Sequence, residues 1–182
     1  MEAKNPVKEL VELEYTRISS SIDMYYNKHF YYMDLLEDLK KQPEVNEIDS
    51  RIAEYKEKAS YYGNKYSQAV AELHAFEEYL NSYSDKEHLS NHQENNEYSF
   101  YTTDEEGNDY LITYEDFKRK YFSKMDSKLN DIPSLNKSEK SEEMRKAARS
   151  YFSYREKENQ RRAEEQKQLE NEPQKEKEGK SK

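Results

Sequence analysis

Apolar residues recur along the first half of the chain at spacings that alternate four and three without a break. One series is Val11, Tyr15, Ile18, Ile22, Tyr25, His29, Tyr32, Leu36 and Leu39; the other is Ile48, Ile52, Tyr55, Ala59, Tyr62, Tyr66, Ala69, Leu73, Phe76, Leu80 and Tyr83. This alternation keeps one face of an α-helix apolar over many turns, the pattern of a coiled-coil seam. Between the series, Pro43 cannot continue a helix, and Asn46, three residues before Asp49, is placed to cap the next one. A connection this short forces antiparallel neighbours. Residues 1–83 therefore read as a long antiparallel two-helix coiled-coil hairpin, with arms roughly 50 Å long at ~1.5 Å per residue. Folding back at the turn sets Tyr32 opposite Tyr55, His29 opposite Ala59, Tyr25 opposite Tyr62 and Val11 opposite Phe76.

Composition agrees with a thin, elongated molecule. Only 33% of the 182 residues are hydrophobic and 38% are charged, which is too little apolar surface for a thick core. The apolar weight rests on 18 Tyr and 6 Phe, and tyrosine suits a thin seam because its ring packs while its hydroxyl stays wet. With 3 Gly and 4 Pro, the chain lacks the turn residues of a sandwich or a nucleotide-binding α/β fold. The absence of Cys excludes disulfides, thiolate zinc sites and cysteine nucleophiles, and suits a reducing cytoplasm. The opening MEAKNPVKELVELEY has no secretory pattern and no stretch is apolar enough for a membrane span, so a cytoplasmic protein with no membrane partner is expected. The lysine-, asparagine-, glutamate- and tyrosine-rich usage is the style of an AT-rich bacterial or phage genome.

The first arm carries a second apolar stripe beside its seam, Tyr26, Phe30 and Met33, and the second arm adds Tyr61 and Val70. A two-helix seam leaves these exposed, so a third helix of this chain or a partner is expected to cover them. They are the candidate partner-binding residues, and the broadened stripe is also compatible with a homodimer.

Residues 84–99 are polar and unperiodic, a linker. Two β-prone runs, Phe100 to Thr103 and Tyr110 to Thr113 in sequence, flank Asp104-Glu105-Glu106-Gly107-Asn108-Asp109 and predict a small β-hairpin. Thr113 and Asp116 form a capping pair for a helix presenting Phe117, Tyr121, Met125 and Leu129, which ends before Pro133. A last helix starting near Asn136 or Ser138 presents Met144, Ala148, Tyr151 and Phe152. The hairpin and these helices make residues 100–155 a small head. Residues 156–182, almost purely charged and amide-bearing, form a tail that is either a solvated helix or disordered, with disorder expected from Pro173.

Metal and catalytic readings are weak. His88 and His92 stand four apart near Glu87 and Glu94 without a third fixed ligand, so a solvated linker is favoured. The loop at Asp104 has the carboxylate density of a calcium site, but Gly107 is fourth rather than sixth, and a turn needing positive φ explains it better. His29 and His74 fall at different heights of the hairpin and do not form a pair. A general acid/base pair needs a cleft that holds one carboxyl out of water, which a two-helix seam does not offer. No enzyme, cofactor or metal is expected.

Charge is unevenly placed. Residues 1–98 hold 11 Lys and Arg against 20 Asp and Glu, while residues 99–182 hold 19 against 19. Basic clusters at Lys118, Arg119, Lys120, Lys124 and Lys128, then at Arg145, Lys146, Arg149, Arg155 and Lys157, interleave with Tyr121, Phe122, Tyr151, Phe152 and Tyr154. Stacking aromatics among cations suit nucleic-acid backbone binding. The favoured alternative turns the aromatics inward and leaves the cations to meet the acidic hairpin or water.

A hairpin followed by Tyr83 and Glu87, at a Tyr-x-x-x-Glu spacing, resembles the small helical-hairpin proteins exported by type VII secretion. The resemblance covers the first half only, and that family's Trp-x-Gly turn is replaced here by Gln42-Pro43-Glu44, with Gly63 inside the second arm. Three expectations follow in order: a non-enzymatic interaction or adaptor protein, a nucleic-acid-associated accessory protein using residues 117–157, and an exported hairpin protein.

Overall fold

The computed structural model describes residues 5–42, 48–84 and 98–180, with side chains for 5–42, 50–84 and 98–171. The Pro43 turn, the cap at Asn46, and Glu87, His88, His92 and Glu94 of the linker lie outside the described residues. The elements are α1 (Pro6–Lys40), α2 (Ile48–Asn81), β1 (Ser99–Thr103), β2 (Asp109–Thr113), α3 (Tyr114–Asn130) and α4 (Lys137–Lys180). The chain is mainly α, with one two-stranded antiparallel sheet. Among the described residues no helix is long and apolar enough to cross a membrane.

α1 starts where Asn5 accepts the Val7 and Lys8 amides on its side chain, with Pro6 in the first turn. Pro6 has no amide hydrogen to leave unpaired there. α1 and α2 then pack along the seam, and every seam residue with a described side chain is buried or half-buried. Three of the four layer pairings are seen directly. Tyr25 meets Tyr62 with ring centroids 6.4 Å apart, and Tyr32 meets Tyr55 at 5.9 Å. His29 Nδ1 lies 2.7 Å from the Ala59 carbonyl and donates to it.

That last contact explains a glycine in the middle of α2. A Cβ on Gly63 would stand 3.1 Å from the His29 ring, so the absent side chain makes room for the imidazole.

β1 and β2 pair in the register Ser99 with Thr113 through Thr103 with Asp109. Their loop is closed by the Asp104 carboxylate, which accepts the Glu106 and Asn108 amides at 3.0 and 2.8 Å, and by Gly107 at φ 87°. α3 follows at once, capped by Thr113 Oγ1, which accepts the Asp116 amide at 3.2 Å. Asn136 caps α4 by accepting the Glu139 amide at 2.9 Å.

The segment 100–155 and the hairpin, read as separate units in the sequence, share a core. Val7, Val11, Ile18, Ala75, Phe76, Tyr79 and Leu80 of the hairpin form one buried cluster with Tyr121, Met125 and Leu129 of α3 and Met144, Ala148 and Tyr151 of α4. A second small cluster packs Phe100, Ile112 and Tyr114 on Ala71. All these contacts gather at the open end of the hairpin, where α1 begins and α2 ends. Among the described residues, no further element packs on the end of the hairpin toward its turn, which projects as a two-helix arm.

α4 runs parallel to α1: Asn5 donates to Glu143 at 2.5 Å, and Arg155 donates to the Tyr15 hydroxyl at 3.3 Å. Of the two forms weighed for residues 156–182, the described backbone takes the helical one as far as Lys180.

Gly63→Ala adds up to about 1 kcal/mol of helix propensity but presses on His29. In chemical denaturation that gain should be largely absent in the native background and should emerge once His29→Ala has removed the ring. Equal gains in both backgrounds would mean that the ring is not what holds the position open.

Candidate interaction surface

The basic residues of α3 and α4 sort into two sets. Lys128, Lys118 and Arg155 reach carboxylates of the hairpin base, each beside a tyrosine hydroxyl that donates to the same carboxylate. Lys128 lies 3.2 Å and Tyr121 Oη 2.9 Å from Glu14. Lys118 lies 3.7 Å and Tyr114 Oη 2.5 Å from Glu78. Arg155 lies 3.7 Å and Tyr151 Oη 2.7 Å from Glu77. The pairing reverses once, where Tyr79 Oη donates to Asp126 at 2.9 Å.

Tyr121 and Tyr151 are buried, Phe122 and Phe152 half-buried, and Tyr154 exposed. Four of the five interleaved aromatics thus turn inward. Burial first, and then the neighbouring carboxylate, push the Tyr114, Tyr121 and Tyr151 hydroxyls well above their ordinary range, which keeps them protonated and able to donate.

The remaining cations of the nucleic-acid reading, Arg119, Lys120 and Lys124 on α3 and Arg145, Lys146, Arg149 and Lys157 on α4, are exposed. Arg119 pairs with Asp116 at 3.6 Å, Arg145 with Glu142 at 3.5 Å and Lys146 with Glu143 at 3.5 Å, while Lys120 sits 5.5 Å from the Tyr110 ring centroid. α3 and α4 pack mainly against the hairpin rather than against each other.

The apolar stripe is different. Tyr26 and Phe30 are each 47% exposed and Met33 is 44% exposed. Tyr26 and Phe30 pack with ring centroids 4.6 Å apart at a tilt of 50°, and Tyr26 leans on Tyr66 at 5.8 Å. Tyr61 is also exposed, but it contacts Tyr62 and Lys65 of its own helix. At 3.6 residues per turn it stands roughly 160° from the Ala59 seam direction, on the side of α2 facing away from α1. Val70 is half-buried. Of the five candidates, Tyr26, Phe30 and Met33 therefore form one surface and Tyr61 and Val70 do not join it.

The stripe continues a face that is already in use. At the base, Glu12, Thr16 and Tyr15 of α1 line an open groove of about 440 Å³ against Ala147, Tyr151 and Tyr154 of α4. Stepping up α1 from Glu12 and Thr16 at alternating three and four gives Ser19, Asp23, Tyr26, Phe30, Met33 and Glu37. These residues share one flank. α4 covers its lower part as far as Tyr15, and the exposed aromatics begin roughly 16 Å further along, eleven residues up the helix.

Sequence reasoning did not foresee the outer row Ala71, Ala75 and Tyr79 of α2, buried under the β-hairpin and α3, or the burial of Glu14. The spacing of four in Ala71, Ala75 and Tyr79 was the available signal; for Glu14 periodicity carried none. Among the described residues no group of His, Asp or Glu side chains is arranged to hold a metal ion.

Glu14 is 3% exposed, and burial by itself raises its pKa. The hydrogen bonds from Arg17 and Tyr121, the Arg17 charge and the hydrogen bond from Lys128 together outweigh burial and lower the pKa from 4.5 to about 2. A depressed folded-state value means stability that is complete above pH 4.5 and lost as pH falls toward 2, about 3 kcal/mol in all. Glu14→Gln should be less stable than the native chain at neutral pH, and the gap measured by urea denaturation should close between those two pH values. A gap independent of pH would show that the charge of Glu14 is not what the network requires.

Comparisons with protein-family models, with curated proteins and with solved structures found nothing that matches this chain.

Proposed function

We propose that this chain is a non-enzymatic interaction protein: the packed base anchors a two-helix arm, and the arm presents Tyr26, Phe30 and Met33 as a docking surface for a protein partner. The observation that carries this reading is the row of half-exposed apolar side chains on a flank whose lower part is already a helix-docking face. Exposed apolar residues arranged as one stripe mark contact surfaces more often than scattered ones do. The arm is ordered by its own seam, so docking on it needs little further ordering, which favours affinity. The nucleic-acid reading has less support, because Lys118, Lys128 and Arg155 are engaged by Glu78, Glu14 and Glu77.

A photo-crosslinking amino acid at position 30, introduced in cells that make the protein, should yield a discrete protein adduct. Tyr26→Ser with Met33→Ser should abolish that adduct while far-ultraviolet circular dichroism and the melting transition stay close to native. Adducts that persist in the double variant, or that survive only without nuclease treatment, would count against the protein-docking reading.

A further inference from the structure

Carboxylates at the two ends of the arm are treated differently. At the base, Glu14, Glu72, Glu77 and Glu78 each have a cation within 4 Å, from Arg17, Lys128, Lys118 or Arg155. Higher on α1, Asp23, Asp34 and Glu37 are exposed, and among the described residues no ion pair or hydrogen bond engages their side chains. On the helix surface these three border the stripe: Asp23 lies three residues before Tyr26, Asp34 four after Phe30, and Glu37 four after Met33. The flank therefore offers an apolar strip with an acidic rim.

The base shows what such a surface takes. α4 lays Ala147, Ala148 and Tyr151 against the hairpin and sets Arg155 on Glu77 and over the Tyr15 ring, 5.9 Å from its centroid. α3 does the same with Tyr121, Met125 and Lys128. In both, an amphipathic helix carries an apolar or aromatic side that packs and a cation three to seven residues away that meets a carboxylate. α4 itself does not extend this cover: residues 159–171 are all exposed, and Arg161 is engaged within its own helix by Glu158 and Glu165, 3.0 and 2.5 Å away.

We propose that the flank of α1 over residues 19–37 binds a basic amphipathic helix of a partner protein, its apolar side on Tyr26, Phe30 and Met33 and its Lys or Arg side chains on Asp23, Asp34 and Glu37. This rests on the docking reading above and adds the partner's chemistry. The occupant lies above Tyr15 on the same flank of α1 that α4 covers lower down, and repeats α4's mode of contact one stage higher. Charge sets its preference among helices, and the aromatic stripe sets its position.

Three fluorescein-labelled peptides of about 20 residues, long enough for the stripe at ~1.5 Å per residue, test this against the full chain by anisotropy. The first is a designed helix with Leu, Met and Tyr on one side and Lys and Arg on the other. The second replaces every Lys and Arg by Glu, and the third scrambles the first so that its apolar side is lost. The first should bind, weaken as salt rises, and weaken at least about tenfold with Asp23→Lys, Asp34→Lys and Glu37→Lys together. Tyr26→Ser with Phe30→Ser should abolish its binding, with helicity checked by circular dichroism. Equal binding of the acidic helix would overturn the basic-partner inference and leave the docking reading standing. Equal binding of the scrambled peptide, or no binding of the first, would likewise overturn the inference. Binding indifferent to the stripe variants would remove both. Sedimentation equilibrium without peptide gives the remaining outcome: a stripe-dependent dimer would assign the flank to a second copy of this chain and overturn the inference.

Discussion

An ionised carboxylate sealed inside the base of the hairpin is the constraint around which the rest is arranged. Burying a charge is costly unless it is paired and hydrogen-bonded. Glu14 meets that condition through three side chains on two elements: Arg17 at 2.7 Å from its own helix, and Tyr121 and Lys128 from α3. Arg17 in turn bridges to Glu72 of α2 at 2.7 Å, so one network ties α1, α2 and α3 in a single register. Tyr121 and Lys128 are seven residues apart, with buried Met125 between them on the same face. The face that packs is also the face that donates. The same unit recurs as Tyr114 and Lys118 on Glu78, and as Tyr151 and Arg155 on Glu77. A chain poor in aliphatic residues thus closes its base with tyrosine rings whose hydroxyls are used on acids. The acidic excess of the first half is in part the complement of these helices.

The arm solves a different problem, since two helices alone cannot exclude water from their seam. Tyrosine tolerates this, because ring area is shared across the interface while the hydroxyl remains solvated. Tyr32 stacks on Tyr62 at 5.7 Å, and Lys28 and Lys58 lie over the rings of Tyr62 and Tyr32 at 5.1 and 5.4 Å. An ammonium over a tyrosine face is attracted by the negative face of the ring. Where the layer would be too thick, as at His29 opposite Ala59, glycine one turn on at Gly63 leaves room for the ring.

Local features were readable before the structure and distant ones were not. The seams, the β-hairpin, the cap at Thr113 and the end of α3 before Pro133 each depend on spacing or turn chemistry within a few residues. The docking of residues 100–155 on the hairpin depends on a second face of α2, where Ala71 and Ala75 are too small to stand out against a seam of tyrosines and leucines. Glu14 could not be read as buried, because Tyr121 and Lys128 lie more than a hundred residues away and periodicity marks it as surface. Charge totals left the cations to meet the acidic hairpin or water, without saying that Lys118, Lys128 and Arg155 would take the first and the others the second. Tyr26, Phe30 and Met33 were legible as a stripe because all three lie on one helix at helical spacing. Tyr61 was grouped with them because apolar character alone does not say to which side of a hairpin a residue turns.

What leaves that stripe bare is the composition of α4. Its row facing α1 reads Ala147, Tyr151 and Tyr154, and then, at the same alternating spacing, Glu158, Arg161 and Glu165. The apolar part stops where the contact with Tyr15 stops, and the charges beyond it pair within the helix. The next apolar side chain of size, Leu169, is 64% exposed. Covering Tyr26, Phe30 and Met33 would recover roughly 25 cal/mol for each Å² of apolar surface removed from water. α4 has no apolar side with which to do so, although it begins along the right flank and runs in the right direction. A helix from elsewhere that carries on the pattern α4 abandons, with apolar residues facing the stripe and cations facing Asp23, Asp34 and Glu37, would find both walls of its contact already ordered by the seam.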